Sequence, residues 1–364
     1  MGKFFFNINK MTILENILDL RQEDWDYYAS VDGKYLENPF SSYIPHREFI
    51  ERFFERAGKE GVLRSINPQL SPQNGDIEHT NSIFFLGILL AKTWRNDSSS
   101  FFIGESPLGY QIFPFLWFLI CLTHDLTTDV ENEDQLLESI RDIETLKQHL
   151  KCRRILPLKD INSVPDVLLN AIPHYLNWKL NNPPKGLEKH VDHGIYAGFK
   201  MYDKLVKNRE YRQRRIREKK EKKSLFWQKE LNEQYAKASQ VVATHNIWFN
   251  NPDYNKENGL DDLNKQENVR FDDYPLYVLF CIVDTIDPVK NVWRNYQGAK
   301  MPHSEKILKG IAINVGERSL TMQNKDLTEA DFNRIRLATA SLPSWLAVSV
   351  HLDNASIKIN ILTK

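Results

Sequence analysis

The sequence predicts a mainly α-helical protein with a small C-terminal α+β element. From Arg47 to about residue 290, apolar residues recur with helical periodicity or form long apolar runs. Beyond about residue 305 the pattern changes to the apolar–polar alternation that is typical of strands. We therefore divide the chain into an N-terminal segment (1–44), a helical domain (45–304) and an α+β tail (305–364).

Composition excludes several classes of protein. The chain has 364 residues, of which 41% are hydrophobic, so it can bury a large core. Lys plus Arg equals Asp plus Glu at 48 each, which means that any electrostatic signal must be local. Three cysteines fit a reducing compartment without a disulfide framework. No signal peptide is evident, and the apolar run 112–122 is shorter than the ~20 residues of a membrane span. We expect a cytoplasmic protein with no membrane partner.

The helical domain begins with the periodic segment 47–66, which a Pro- and Gly-rich stretch ends. Two apolar helices are predicted next, at 77–95 and 112–122, because both runs are too apolar and too long for exposed loops. Further helices are predicted at 133–152 and 164–180, and the first of them is acidic and then basic along its length.

The second half of the chain opens with a break at "NNPPKG". A long helix, or two helices with a bend, is predicted over 187–239, and the Asn- and Asp-rich stretch 249–275 is predicted to be a loop. An apolar helix is expected at 276–290. In the tail, strands are predicted within 310–323 and 347–362, on either side of a helix at 328–346.

Metal-competent side chains recur on or beside the apolar helices. A buried carboxylate without a partner is costly, and imidazole together with carboxylate is the ligand set of many transition-metal sites. The residues that share this setting are His79, His124, Asp125, His193, His245 and Asp284.

The order His, His-Asp, His, His, Asp over residues 45–300 resembles that of the HD-domain superfamily of metal-dependent phosphohydrolases. The resemblance is specifically to its two-metal branches, the HD-GYP cyclic-dinucleotide phosphodiesterases and the CRISPR-associated HD nucleases. It implies an HD-domain helical bundle that hydrolyses phosphoric esters.

The resemblance also implies a ligand set for two divalent metal ions. His79, His124, Asp125 and Asp284 would hold the first ion, and Asp125 would bridge to a second ion held by His193 and His245. Ligands of these types suit Mn, Fe, Mg, Ni, Co or Zn.

Alternatives to this ligand set remain open. His190 lies three residues before His193, hence on the same helix face. It is predicted as a catalytic residue with Asp125, either as a ligand that joins or replaces His193 or as a contact to substrate phosphate. Cys121 and Cys281 share the faces of His124 and Asp284, although a role as small core residues is favoured over ligation. The remaining histidines are interpreted as structural: His46, His149, His174, His303 and His351.

The sequence departs from the family pattern after the His-Asp pair. Many two-metal HD enzymes read His-Asp-x-Gly-Lys, with the lysine near the substrate phosphate, whereas this chain has Thr127 and Thr128. This difference bears on the substrate class more than on metal binding. The candidates for a replacement contact are Asp129, Lys185, Lys189 and Lys200.

A basic segment covers residues 204–223, with eleven Lys or Arg residues against three Glu. One interpretation is a solvated helix face. The other is a surface that guides single-stranded nucleic acid or collects nucleotides, together with Tyr211, Phe226 and Trp227.

Three functions therefore follow from the sequence. The first is a metal-dependent phosphohydrolase or phosphodiesterase acting on a nucleotide or a nucleotide second messenger. The second is an HD-type nuclease acting on single-stranded nucleic acid, and the third is a non-catalytic HD protein that senses a nucleotide.

Overall fold

The chain is mainly helical, with a small antiparallel sheet near its C-terminal end, as predicted. None of the described helices combines the length and the apolar character needed to cross a membrane. The predicted helix at 47–66 and most of the predicted loop at 249–275 lie outside the described residues. A computed structural model describes residues 11–25, 74–94, 112–125, 134–159, 161–181, 189–219, 231–247, 256, 268–296 and 301–363.

Helices and strands follow one another in the following order. They are α1 (Ile13–Leu18), α2 (Gln22–Trp25), α3 (Asn74–Trp94), α4 (Ile112–Thr123), α5 (Asp134–Ser139), α6 (Ile143–His149), α7 (Asp166–Asn181), α8 (His193–Lys219), α9 (Leu231–Thr244), α10 (Pro275–Ile286), α11 (Pro288–Trp293), α12 (Ser304–Lys309), β1 (Ile311–Gly316), β2 (Ser319–Asn324), α13 (Glu329–Thr339), a 3₁₀ turn (Leu342–Ser344), β3 (Val348–Leu352) and β4 (Ser356–Ile361).

Two predicted helices are each divided into two. The helix predicted at 133–152 consists of α5 and α6, because the Asp142 side chain accepts a hydrogen bond from Thr145 N at 2.8 Å and starts a new helix. The helix predicted at 276–290 consists of α10 and α11. Pro288 disfavours a helical conformation at Asp287, which instead caps the N-terminus of α11.

Helix α4 is the centre of the helical body. Every residue from Phe113 to Thr123 is buried, so the helix is enclosed on all sides. Helices α3 and α9 pack against it, and α10 packs against α3. The Trp117 indole of α4 lies in the contact with α3, where its Nε1 donates to Phe84 O at 2.9 Å.

Helices α8 and α9 pack closely because α8 carries glycine where they meet. A Cβ at Gly198 would lie 2.7 Å from both Ala243 Cβ and Ser239 O. A Cβ at Gly194 would lie 2.8 Å from Val242 O and from a carbon of the His245 ring. Any larger residue would therefore push the two helices apart.

The sheet has the order β1-β2-β4-β3, and all its neighbouring strands are antiparallel. Ile357, Ile359 and Ile361 alternate into the core along β4. Two isolated β-bridges link the sheet region to segments that lead into helices. Thr12, the N-cap of α1, pairs with Ala312 of β1, and Val269, which precedes α10, pairs with Leu346, which precedes β3. Helix α13, between β2 and β3, packs against α10 and α11.

Gly198→Ala should lower the free energy of unfolding by about 1–3 kcal/mol, because the added methyl group overpacks the contact between α8 and α9. A gain of about 1 kcal/mol in helix propensity offsets part of this loss. Urea denaturation followed by circular dichroism measures the difference.

Glu218→Ala, at an exposed position of α8, is the matched control and should change stability by less than about 0.5 kcal/mol. A Gly198→Ala variant as stable as the wild type would contradict the close packing of these helices.

Candidate metal centre

The structure brings the six metal-competent residues together in two overlapping groups. Within each group, the potential ligand atoms all lie within 4.8 Å of one another. Asp125 belongs to both groups. The first group is His79, His124, Asp125 and Asp284, and the second is Asp125, His193 and His245.

Five helices contribute these residues. His79 lies on α3, and Asp284 lies in the last turn of α10. His124 and Asp125 follow directly after α4, where the His124 amide still donates to Ile120 O at 3.0 Å. His193 begins α8, and His245 follows the last residue of α9. The site therefore depends on how these helices are packed.

The first group is compact. His79 Nε2 lies 3.2 Å from His124 Nε2 and 3.3 Å from Asp284 Oδ1. Asp125 Oδ2 lies 3.1 Å from His124 Nε2 and 3.5 Å from His79 Nε2. Two imidazoles and two carboxylates thus direct one ligand atom each towards a common point.

Hydrogen bonds fix the tautomers of two histidines. His124 Nδ1 donates to Cys121 O at 2.9 Å, and His245 Nδ1 donates to Val242 O at 2.7 Å. A carbonyl oxygen only accepts, so Nδ1 carries the hydrogen in both rings and Nε2 is left as the ligand atom.

The second group is more open. His193 Nε2 lies 3.4 Å from Asp125 Oδ1, and the Asn246 amide nitrogen lies 2.8 Å from the same ring nitrogen. Gly194 allows the His193 and His245 rings to approach to 5.5 Å between centroids, because a side chain there would overlap His245. Sequence reasoning missed Asn246, which carries no signal beyond its position after a histidine.

Asp287 contacts the nitrogen of the His79 ring that faces away from the other ligand atoms of the first group. Sequence reasoning missed this residue as well. His79 Nδ1 donates to Asp287 Oδ2 at 2.8 Å, and the Ser82 hydroxyl donates to the other carboxylate oxygen. Asp287 is completely buried. A carboxylate that holds the far nitrogen of a ligating histidine fixes the ring and raises its basicity. The Asp-Pro dipeptide signals a helix cap but not this contact.

Lys290 is the third residue that the sequence did not indicate. Its Nζ donates to Asp284 Oδ1 at 2.8 Å and lies 3.7 Å from Asp125 Oδ2. Its backbone amide donates to Asp287 Oδ2 at 2.8 Å. Residues 284, 287 and 290 therefore all reach the same cluster, although a helix break separates them.

The cluster shifts the pKa values of its members. Burial and the Lys290 ammonium lower the pKa of His79, but hydrogen bonds with three carboxylates outweigh them and hold it well above its usual value. Burial raises the pKa of Asp125 and of Asp284, yet the surrounding positive charges, Lys290 among them, hold both well below the usual range. Burial and two neighbouring imidazoles lower the pKa of His245 to about 4. The two carboxylates are therefore charged at neutral pH.

These residues fit a metal ion. Imidazole nitrogens and carboxylate oxygens converge from several directions, His245 is neutral as ligation requires, and Asp287 supplies the supporting hydrogen bond. A cation that binds to His79 must displace its proton, so binding at the first group releases acid.

Other predicted residues lie elsewhere. His190 is half-buried and belongs to neither group. Cys121 and Cys281 are buried beside the cluster, and burial raises the pKa of both thiols, to about 12 for Cys281, so they stay protonated. The described residues that take no part in either group are His149, His174, His303, His351, Lys189 and Lys200. The predicted residues outside the described part of the chain are His46, Thr127, Thr128, Asp129, Lys185, Phe226 and Trp227.

The chain matches no protein-family model, no curated protein and no solved structure. The case for a metal centre therefore depends on the geometry of the chain itself.

Asp287→Asn should weaken Mn²⁺ binding about 10–100-fold, because it removes the charge that supports His79 while keeping a side chain of the same shape. Isothermal titration calorimetry measures the affinity. Asp331→Asn is the matched control, since Asp331 is also buried and accepts hydrogen bonds from Asn295 and Tyr296, in contacts outside the cluster. Equal affinities in the two variants would show that Asp287 does not support a metal ligand.

Proposed function

We propose that the protein is a metal-dependent phosphoric ester hydrolase of the HD type, acting on a nucleotide or a nucleotide second messenger. The observation that supports this proposal is the carboxylate of Asp125, which belongs to both ligand groups. A carboxylate shared by two groups of imidazoles suits a pair of divalent cations.

Such cations would supply a hydroxide at neutral pH by lowering the pKa of water towards ~7, and they would neutralise charge on the phosphoryl oxygens. The residues of the chain itself shape the site around the cations and limit its contact with water. Asp125 positions both groups relative to each other. His79 and His124 form a buried wall that excludes bulk water, because their side chains are only 7% and 1% exposed. Charges act more strongly in such a water-poor site.

His190 remains a predicted contact to the substrate. It lies three residues before His193, in the short connection that leads into α8, where Asp192 caps the helix by accepting from Ile195 N at 3.0 Å. A half-buried imidazole is suited to hydrogen bonding with a phosphate oxygen.

The basic segment holds at least three cations that already have protein partners. In its described part, Lys207 pairs with Asp203, and Arg214 lies 3.8 Å from Glu218. Arg209 is buried and its Nε donates to Asn232 at 2.7 Å. Cations that are already paired with protein groups contribute little to binding a nucleic-acid backbone.

The alternative functions have distinct signatures. A nuclease would degrade single-stranded DNA in the presence of Mn²⁺, and its binding would weaken steeply with salt. A nucleotide sensor would bind metal and nucleotide but leave the phosphoester intact. A screen with Mn²⁺ against cyclic dinucleotides, nucleoside triphosphates and single-stranded DNA separates the three.

Asp125→Ala should abolish binding at both groups together and reduce Mn²⁺-dependent hydrolysis of an aryl phosphodiester to the background rate, because each group loses its shared ligand. His193→Ala should remove only the second ion. Mass spectrometry of bound metal gives the stoichiometry, and circular dichroism confirms folding.

His174→Ala is the control, because His174 is exposed and belongs to neither group. The proposal would be overturned if Asp125→Ala kept the metal content and the activity of the wild type.

A further inference from the structure

The metal centre has a buried side and an open side. His79, His124 and Asp287 form the buried side, where side-chain exposure is 7% or less. The open side consists of residues whose side chains are 16–21% exposed. They are Asp125, His193, Asp284 and Lys290. A substrate can reach the cluster only where its side chains are accessible, so it approaches along the open side.

Lys290 is the cation of this open side. Its ammonium lies near both carboxylates of the first group, at 2.8 Å from Asp284 Oδ1 and 3.7 Å from Asp125 Oδ2. Its backbone is fixed by the hydrogen bond from its amide to Asp287, while its side chain is 21% exposed. The anchored backbone leaves the flexible side chain free to exchange partners without unfolding α11.

The charges of the cluster favour an anion once two divalent cations are bound. Asp125, Asp284 and Asp287 provide three negative charges, and Lys290 provides one positive charge. With neutral imidazoles, one divalent cation balances this set, and a second leaves an excess of positive charge. Such an excess at a partly buried site attracts a doubly charged anion. The ammonium would also lose its carboxylate partners to the cations and would need a new acceptor.

We propose that Lys290 binds the phosphoryl oxygens of the substrate from the open side of the centre, exchanging Asp284 and Asp125 for an anionic oxygen. This inference rests on the proposed function. It makes Lys290 a determinant of substrate class, because an ammonium beside a cation pair selects a phosphate group rather than a neutral ester.

The test measures binding of inorganic phosphate to the Mn²⁺-loaded protein by isothermal titration calorimetry. Lys290→Gln should weaken phosphate binding about tenfold or more, because a charge-assisted hydrogen bond is lost. Its affinity for Mn²⁺ should stay the same or increase, because a competing cation has gone. Lys290→Arg should restore most of the phosphate affinity.

Lys92→Gln is the matched control, since Lys92 also pairs with a buried aspartate, at 2.8 Å from Asp24, on the part of α3 remote from His79. It should leave both affinities unchanged.

The outcomes separate this inference from the proposed function. If the wild type binds Mn²⁺ and phosphate and Lys290→Gln binds phosphate equally well, Lys290 only neutralises the carboxylates and the inference is wrong. If the wild type binds no Mn²⁺, the proposed function fails, and the inference fails with it.

Discussion

Burial of two carboxylates among four imidazoles is the interaction on which the rest of the structure depends. An isolated charged carboxylate at the end of an apolar helix would cost several kcal/mol, so Asp125 and Asp284 are stable only because partners surround them. Those partners come from separate parts of the chain. Lys290 neutralises part of the negative charge of the two carboxylates, and the imidazole nitrogens interact with the carboxylate oxygens that remain. The helical body must therefore assemble correctly for both carboxylates to stay charged inside the folded protein.

Helix packing and site geometry are two aspects of one arrangement. The buried α4 brings His124 and Asp125 to the centre, and the glycines of α8 bring His193 next to His245. A change of about an ångström between α8 and α9 would open the second group while leaving the first intact. The first group is instead held by α3, α4 and α10, with Asp287 behind His79. The two groups thus differ in how rigidly they are supported.

Sequence reasoning predicted the helical class and most of the helices, because apolar periodicity is a local signal. It grouped the six metal-competent residues by their apolar settings, and only the resemblance to the HD superfamily implied that they meet. It placed a continuous helix across residue 287, although the Asp-Pro dipeptide indicates a break. It missed Asp287, Lys290 and Asn246 as neighbours of the cluster. Their contacts join residues distant in sequence, such as His79 and Asp287, and depend on how far each helix is rotated and how it is packed. Spacing along one helix does not determine that rotation.

The bridge between Thr12 and Ala312 has a consequence for how the protein forms during translation. Ile313 N donates to Met11 O at 2.9 Å, so one partner emerges from the ribosome long before the other. Helix α1 also packs against α12 and β1, which are made at the same later stage. The early segment therefore waits with part of its apolar surface uncovered until the C-terminal sheet appears.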